Sequence, residues 1–209
     1  MNRRLLLSAI GLSPLALISA KIPTLAQDSI VETLIKRWKK SKAYTLTVFD
    51  TMPANDIEFS PSVQQLSFAQ HFIHLGFINV TYIGVLVDTQ TYADFYALME
   101  ADFVMQPPDG INVFQPDRLK ERDAQENKAR VAQYISDTFD YVITQLGNLH
   151  DAMLTQGENK EKPDYLSGHN NLDLILRGES HTAHHRAQAI AYLRANGVQP
   201  PGYTVNNKF

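Results

Sequence analysis

Four long stretches of this chain carry apolar residues at the three-to-four spacing of a helix, and no stretch alternates apolar with polar as a half-buried strand does. The first runs from Asp28-Ser29, which suit an N-cap, to about Met52, with Ile30, Leu34, Trp38, Leu46 and Phe49 as its stripe. Pro53-Ala54-Asn55-Asp56 breaks it. The second is expected to start at Ser60-Pro61-Ser62, with Pro near the first turn, and to carry Leu66, Phe68, Phe72, Ile73, Phe77, Ile78, Tyr82 and Ile83 to about Val87. A third begins at Pro116-Asp117 and buries Val131, Ile135, Phe139, Val142, Ile143, Leu146 and Met153. Behind the polar loop Gly157 to Pro163, the fourth spans about Asn170 to Ala195, with Leu172, Leu174, Ile175, Leu176, Ile190 and Leu193 at helical spacing. Asn196-Gly197 supplies a left-handed stop, with Pro200-Pro201 beyond it. Such a chain is all-α: a four-helix bundle with a long connection between helices 2 and 3. That connection holds a short helix around Tyr92 to Met99 and a turn at Gln106-Pro107-Pro108-Asp109-Gly110.

With 209 residues, 44% of them hydrophobic, the chain can bury one core without disulfides. It has no cysteine, which excludes thiolate metal sites and cysteine nucleophiles. Its first residues read as an export signal. Met1-Asn2-Arg3-Arg4 is basic, Leu5 to Ala20 is an apolar run, and Thr24-Leu25-Ala26 offers a small-residue cleavage site. The expected organisation is a signal peptide over 1–26, one domain over 28–203 and a tail over 204–209, in a periplasmic or secreted protein. The apolar run is 16 residues, short of the roughly 20 that span a bilayer, so no stable membrane insertion is expected after cleavage. Residues 1–26 hold three cations and no acid, so the mature chain has net charge −6 and no basic stripe. That argues against nucleic acid as a partner. The cluster Lys36, Arg37, Lys39 and Lys40 reads as a solvated helix face.

All seven histidines lie between positions 71 and 185. His181 and His185, four apart, are separated by about 40° around a helix axis and point the same way. His184 lies about 100° from His185, which makes it a neighbouring or surface residue. Two imidazoles on one rigid helix are half of a divalent-metal site, and a third donor must come from another helix, where His71 and His74 are the candidates. Three histidines leave an open coordination position, as in catalytic zinc sites, and nickel also suits imidazole ligands.

These residues resemble the DinB-like (damage-inducible, YfiT-type) superfamily of metal-binding four-helix bundles. Ala43-Tyr44-Thr45 to Met52-Pro53, then Ile57-Glu58-Phe59-Ser60-Pro61, is similar to that family's first helix and following loop. Ser67-Phe68 followed by His74 is similar to its second helix. His181 to Gln188, with Tyr192-Leu193-Arg194 and Asn196-Gly197 to Pro200-Pro201, resembles its last helix and exit. The resemblance covers roughly 28 to 203, and Ala187 stands where the family often has Gly. Carried over by position, it implies His74, His181 and His185 as ligands of a divalent ion, Zn or Ni, and it selects His74 over His71. It also implies thiol transferases or isomerases among the relatives, beside many members with no assigned reaction.

Three functions follow as expectations. One is an exported metal-dependent enzyme, a hydrolase or thiol-type transferase acting on a small molecule that the sequence does not identify. Another is a metal-binding or interaction module without turnover. The third is a bundle whose histidines bind nothing and whose surface pairs with a second copy as a homodimer. Further residues have bland readings: Arg186 and Gln188 as a surface pair, His150-Asp151 as a solvated pair, His169 as a loop or capping residue. Tyr92, Phe95, Tyr96 and Phe103 are read as packing rather than a lid. Glu179 points about 160° away from His181 and is not assigned as a base.

Overall fold

The computed structural model describes residues 29–86, 93–100, 123–157 and 161–203. Five α-helices appear there: α1 (Ile30–Thr51), α2 (Phe68–Leu86), the short α3 (Phe95–Met99), α4 (Ala124–Leu146) and α5 (Asn171–Ala195). No strand occurs among the described residues. The all-α expectation therefore holds, and α1, α2, α4 and α5 are the four long helices. The proposed signal peptide and the C-terminal tail lie outside the described residues.

Each long helix starts where side chains satisfy the amide donors that a first turn leaves open. For α1 this is a reciprocal capping box: Glu32 N–H donates to Ser29 Oγ at 3.1 Å, and Ser29 N–H donates to Glu32 Oε2 at 3.0 Å. Asp151, far along the chain, adds a second cap by accepting from Ile30 and Val31 N–H at 3.0 and 2.9 Å. The Val31 and Ile30 amides hold its carboxyl below the usual carboxylate range. At the other end of α1, Lys128 Nζ donates to the carbonyls of Asp50 and Met52 at 2.7 and 2.9 Å.

The start of α2 differs from expectation. Residues 60–67 form a loop, and the helix begins at Phe68. Ser67 and Gln70 make the capping box, with Ser67 N–H to Gln70 Oε1 at 2.8 Å and Gln70 N–H to Ser67 Oγ at 3.2 Å. Phe68 and Ala69 N–H donate to the carbonyls of Phe59 and Ile57, both at 2.8 Å. Pro61 near a first turn was the weaker signal, because a loop that feeds carbonyls to a helix start also tolerates Pro. The third long helix likewise begins later than Pro116, at Ala124 behind the N-cap Asp123, and ends at Leu146, so Met153 lies on a separate 3-10 turn. Pro116 and Asp117 themselves are outside the described residues. α5 starts behind Asn170 and stops at Ala195, where Gly197 takes φ +73°, a left-handed value suited to glycine.

α4 and α5 each pack against both α1 and α2. The core centres on fully buried aromatics: Trp38 meets Phe139 at 5.8 Å between ring centroids, and Phe49 meets Phe72 at 5.0 Å. Ile30 and Leu176, counted above in the apolar stripes, are instead exposed. α3 lays Leu98 against Gly84 at the far end of α2. No helix among the described residues is long and apolar enough to cross a membrane.

α2 and α4 come into close contact at Gly76. A Cβ there would lie 2.8 Å from Thr138 Oγ1 and 3.3 Å from Tyr134, both in the core. Gly76→Ala gains about 1 kcal/mol of helix propensity but forces a β-branched neighbour out of place, and overpacking costs about 1–3 kcal/mol. Urea unfolding is expected to show a net loss of about 1 kcal/mol. A stabilised variant would show that the helices separate freely there.

Candidate metal centre

α2 and α5 run antiparallel. Contacts pair Asn79 with Thr182, His74 with His181 and His185, and Gln65, just before α2, with Tyr192. Asn79 Nδ2 donates to Thr182 Oγ1 at 2.7 Å in a fully buried setting, which fixes the register of the two helices. One turn away, the register brings three imidazoles together. His74, His181 and His185 each offer a ring nitrogen, and these atoms all lie within 4.8 Å of one another. Their ring centroids are 4.4 to 5.0 Å apart, and His185 Nε2 stands 3.1 Å from His181 Nε2. His185 is buried and the other two are half-buried, so the cluster sits at the wall of the bundle rather than on its surface.

His71 lies next to this cluster. It is 3% exposed, and its Nδ1 is 2.9 Å from Nδ1 of His185. A hydrogen bond across that gap needs the proton on one ring only. With the proton on His185 Nδ1, His71 Nδ1 accepts and the His185 Nε2 lone pair faces His181 and the centre of the cluster. This is the arrangement by which a second polar group orients a ligating imidazole. His71 in turn abuts the ring of Tyr192, centroids 5.0 Å apart. Sequence spacing flagged His71 only as a rival third donor. Its position three residues before His74 is compatible with either role, and its contact with His185 required the tertiary placement of α5.

Burial sets the charge state. Desolvation, followed by repulsion from the neighbouring histidines, lowers His71 and His181 from 6.5 to about 4 and His185 to about 2. No carboxylate among the described residues offsets these shifts. The rings are therefore neutral near pH 7, which is the form that donates a lone pair to a cation. Nε2 of His181 and Nε2 of His185 stand 3.1 Å apart, and a ring nitrogen of His74 lies within 4.8 Å of the cluster's other donors, so the donor set fits a divalent ion.

The remaining sequence candidates fall elsewhere. His184 is exposed and hydrogen-bonds through Nε2 to Gln188 Nε2 at 2.7 Å, a surface pair. His169, in the turn before α5, pairs with Asp173 and Arg177 of that helix. His150 is exposed, while Asp151 beside it caps α1. Glu179 forms a forked pair with Arg37. Arg186 is no surface residue: it reaches Ser41 and Thr45 of α1, away from the histidines. Phe95 and Tyr96 belong to α3, packed near residue 84, about 15 Å along α2 from His74, so they form no lid over the cluster. Tyr92 and Phe103 are outside the described residues.

The model of the DinB superfamily matches residues 37–189. A crystal structure of a DinB-like protein from Bacillus cereus ATCC 10987 superposes with a TM-score of 0.57, covering 83% of this chain and 97% of that one at 13% identity. At that identity the likeness is one of fold. No curated protein matches the chain. The family match covers more than half of the chain and takes in α2 and most of α5 with all three clustered histidines: this chain belongs to the DinB superfamily.

Proposed function

We propose that the chain is an exported, metal-dependent DinB-like protein in which His74, His181 and His185 hold one divalent cation, Zn or Ni, at an open site. The observation that carries this reading is the convergence of three buried or half-buried imidazole nitrogens within 4.8 Å. Three ligands leave at least one coordination position for a substrate or co-reactant. A bound divalent ion would supply Lewis acidity there. Neutral imidazoles leave the cation's charge uncompensated, which favours an anionic fourth ligand. A hydrolase or a thiol-type transferase fits that chemistry. The basic, apolar and small-residue pattern of residues 1–26 supports export.

A non-catalytic metal-binding role is the second reading. It is favoured by one observation: among the described residues no carboxylate stands beside the cluster to act as acid or base, since Glu179 is engaged by Arg37.

Elemental analysis of untagged protein is expected to find close to one equivalent of zinc or nickel, lost in His74→Ala and in His185→Ala. Metal-free wild type that takes up neither ion would end the proposal. His71→Ala is expected to keep the stoichiometry but bind zinc about 10–100-fold more weakly in chelator competition, because His185 loses its orienting partner. Complete loss of metal in that variant would make His71 a ligand.

The metal-free protein should lose stability in acid. The folded-state values of His71, His181 and His185 lie below the unfolded value of 6.5, so the unfolded chain binds more protons. Their contribution is complete above pH 6.5, declines as pH falls below it, and is lost through about 4 for His71 and His181 and about 2 for His185. Thermal melts across this window should show a falling Tm, with a shallower fall in His71→Gln. Equal slopes for wild type and variant would contradict a buried neutral His71.

A further inference from the structure

The opposite side of α5 carries a second site. A cavity of about 400 Å³ opens between α1 and α5, within the range of about 300–1,000 Å³ typical of small-molecule pockets. Lys36, Arg37 and Lys40 line it from α1, Arg186 and Glu179 from α5. None of the clustered histidines lines it. Four cations meet one carboxylate in a chain whose net charge is −3.

That carboxylate is already engaged. Glu179 accepts from Arg37 Nη2 at 2.5 Å and from Arg37 Nε at 3.1 Å, so the pair is locally neutral. Arg186 has no carboxylate within 4.0 Å among the described residues. Its Nη1 donates to Ser41 Oγ at 3.0 Å and Thr45 Oγ1 at 2.9 Å, and its guanidinium lies 4.9 Å from the Tyr44 ring centroid. These neutral partners fix the plane of the group but leave its charge unbalanced. Burial accordingly lowers its pKa, against weaker opposing effects of Tyr44, Tyr203 and Glu179. Nε and Nη2 find no acceptor among the described residues. A helix tie alone would be served better by a carboxylate opposite; a held, half-buried, uncompensated fork is what an oxyanion needs.

We propose that this α1–α5 cavity binds a small molecule through a carboxylate or phosphate group, with Arg186 as the fixed anchor and Lys40 as the second cation. A concave pocket between two helices, open to solvent on one side, suits a compact anion rather than a polymer backbone. The proposal is independent of the metal-site reading.

The test is isothermal titration of the metal-stripped full chain with sodium phosphate and, separately, sodium acetate, at pH near 7 and about 20 mM NaCl. Saturable one-to-one binding is expected for at least one anion, weakening as NaCl rises to about 200 mM. Preference for phosphate or for acetate then identifies the group carried by the ligand. Arg186→Gln is expected to weaken binding about tenfold or more, and Arg186→Lys to weaken it as well, since a point charge replaces the fork. Lys40→Gln, on an exposed position, is expected to weaken binding about threefold with the fold intact, so the test stands even if Arg186→Gln does not fold. No saturable binding of either anion, or binding unchanged by Lys40→Gln and by whichever Arg186 variant folds, would overturn the proposal.

Discussion

The antiparallel register of α2 and α5 is the constraint on which the site depends. It is fixed by a buried polar contact, in which the Asn79 side-chain amide donates to the Thr182 hydroxyl away from water. Unpaired, each group would carry a desolvation cost of about 1–3 kcal/mol. A slip of either helix by one turn breaks the pair and strands both groups. Apolar packing tolerates such slips more readily than a directional bond does. The same register determines that residues 71 and 74 meet 185 and 181, so the histidine cluster is a consequence of the clamp beside it.

Local chemistry made much of this readable from the residues alone. The start of α1 follows from Ser29 and Glu32, the bounds of α5 from Asn170 and Gly197, and the pairing of His181 with His185 from their spacing, because each of these acts within one or two turns of helix. The start of α2 was equally local, in Ser67 and Gln70, but Pro61 offered a competing signal seven residues earlier. Choosing between His71 and His74 lay beyond helical geometry. Three residues apart, both face broadly the same way, and the family resemblance rather than spacing singled out His74. What no local pattern carries is contact at long range. Asp151 capping α1 from 120 positions away, Lys128 closing its other end, and Arg186 reaching α1 rather than the cluster all depend on how finished helices are set against each other.

The division of labour within the bundle follows from where apolar and polar residues fall. Trp38 and Phe139 join α1 to α4, and Phe49, Phe68 and Phe72 join α1 to α2, as two aromatic clusters within one apolar core. The middle of α5 contributes little to that core. It buries Gly178, Thr182 and His185 instead. α5 is held by directional contacts: Asn171 and Leu172 N–H on the carbonyls of Gln156 and Leu154 at its start, Glu179 on Arg37, and Arg186 on Ser41 and Thr45.

A helix held in this way places two unlike sites back to back. On one side are neutral imidazoles whose burial removes their charge; on the other is a guanidinium that keeps its charge because no accessible pH removes it. Burial acts on both and yields opposite results, since histidine escapes desolvation by losing a proton and arginine does not. The histidine face therefore meets a cation without repulsion, and the arginine face is left with a charge that only an anion can balance. Binding at either face would stabilise the folded chain, because a ligand that prefers the folded state shifts the folding equilibrium toward it.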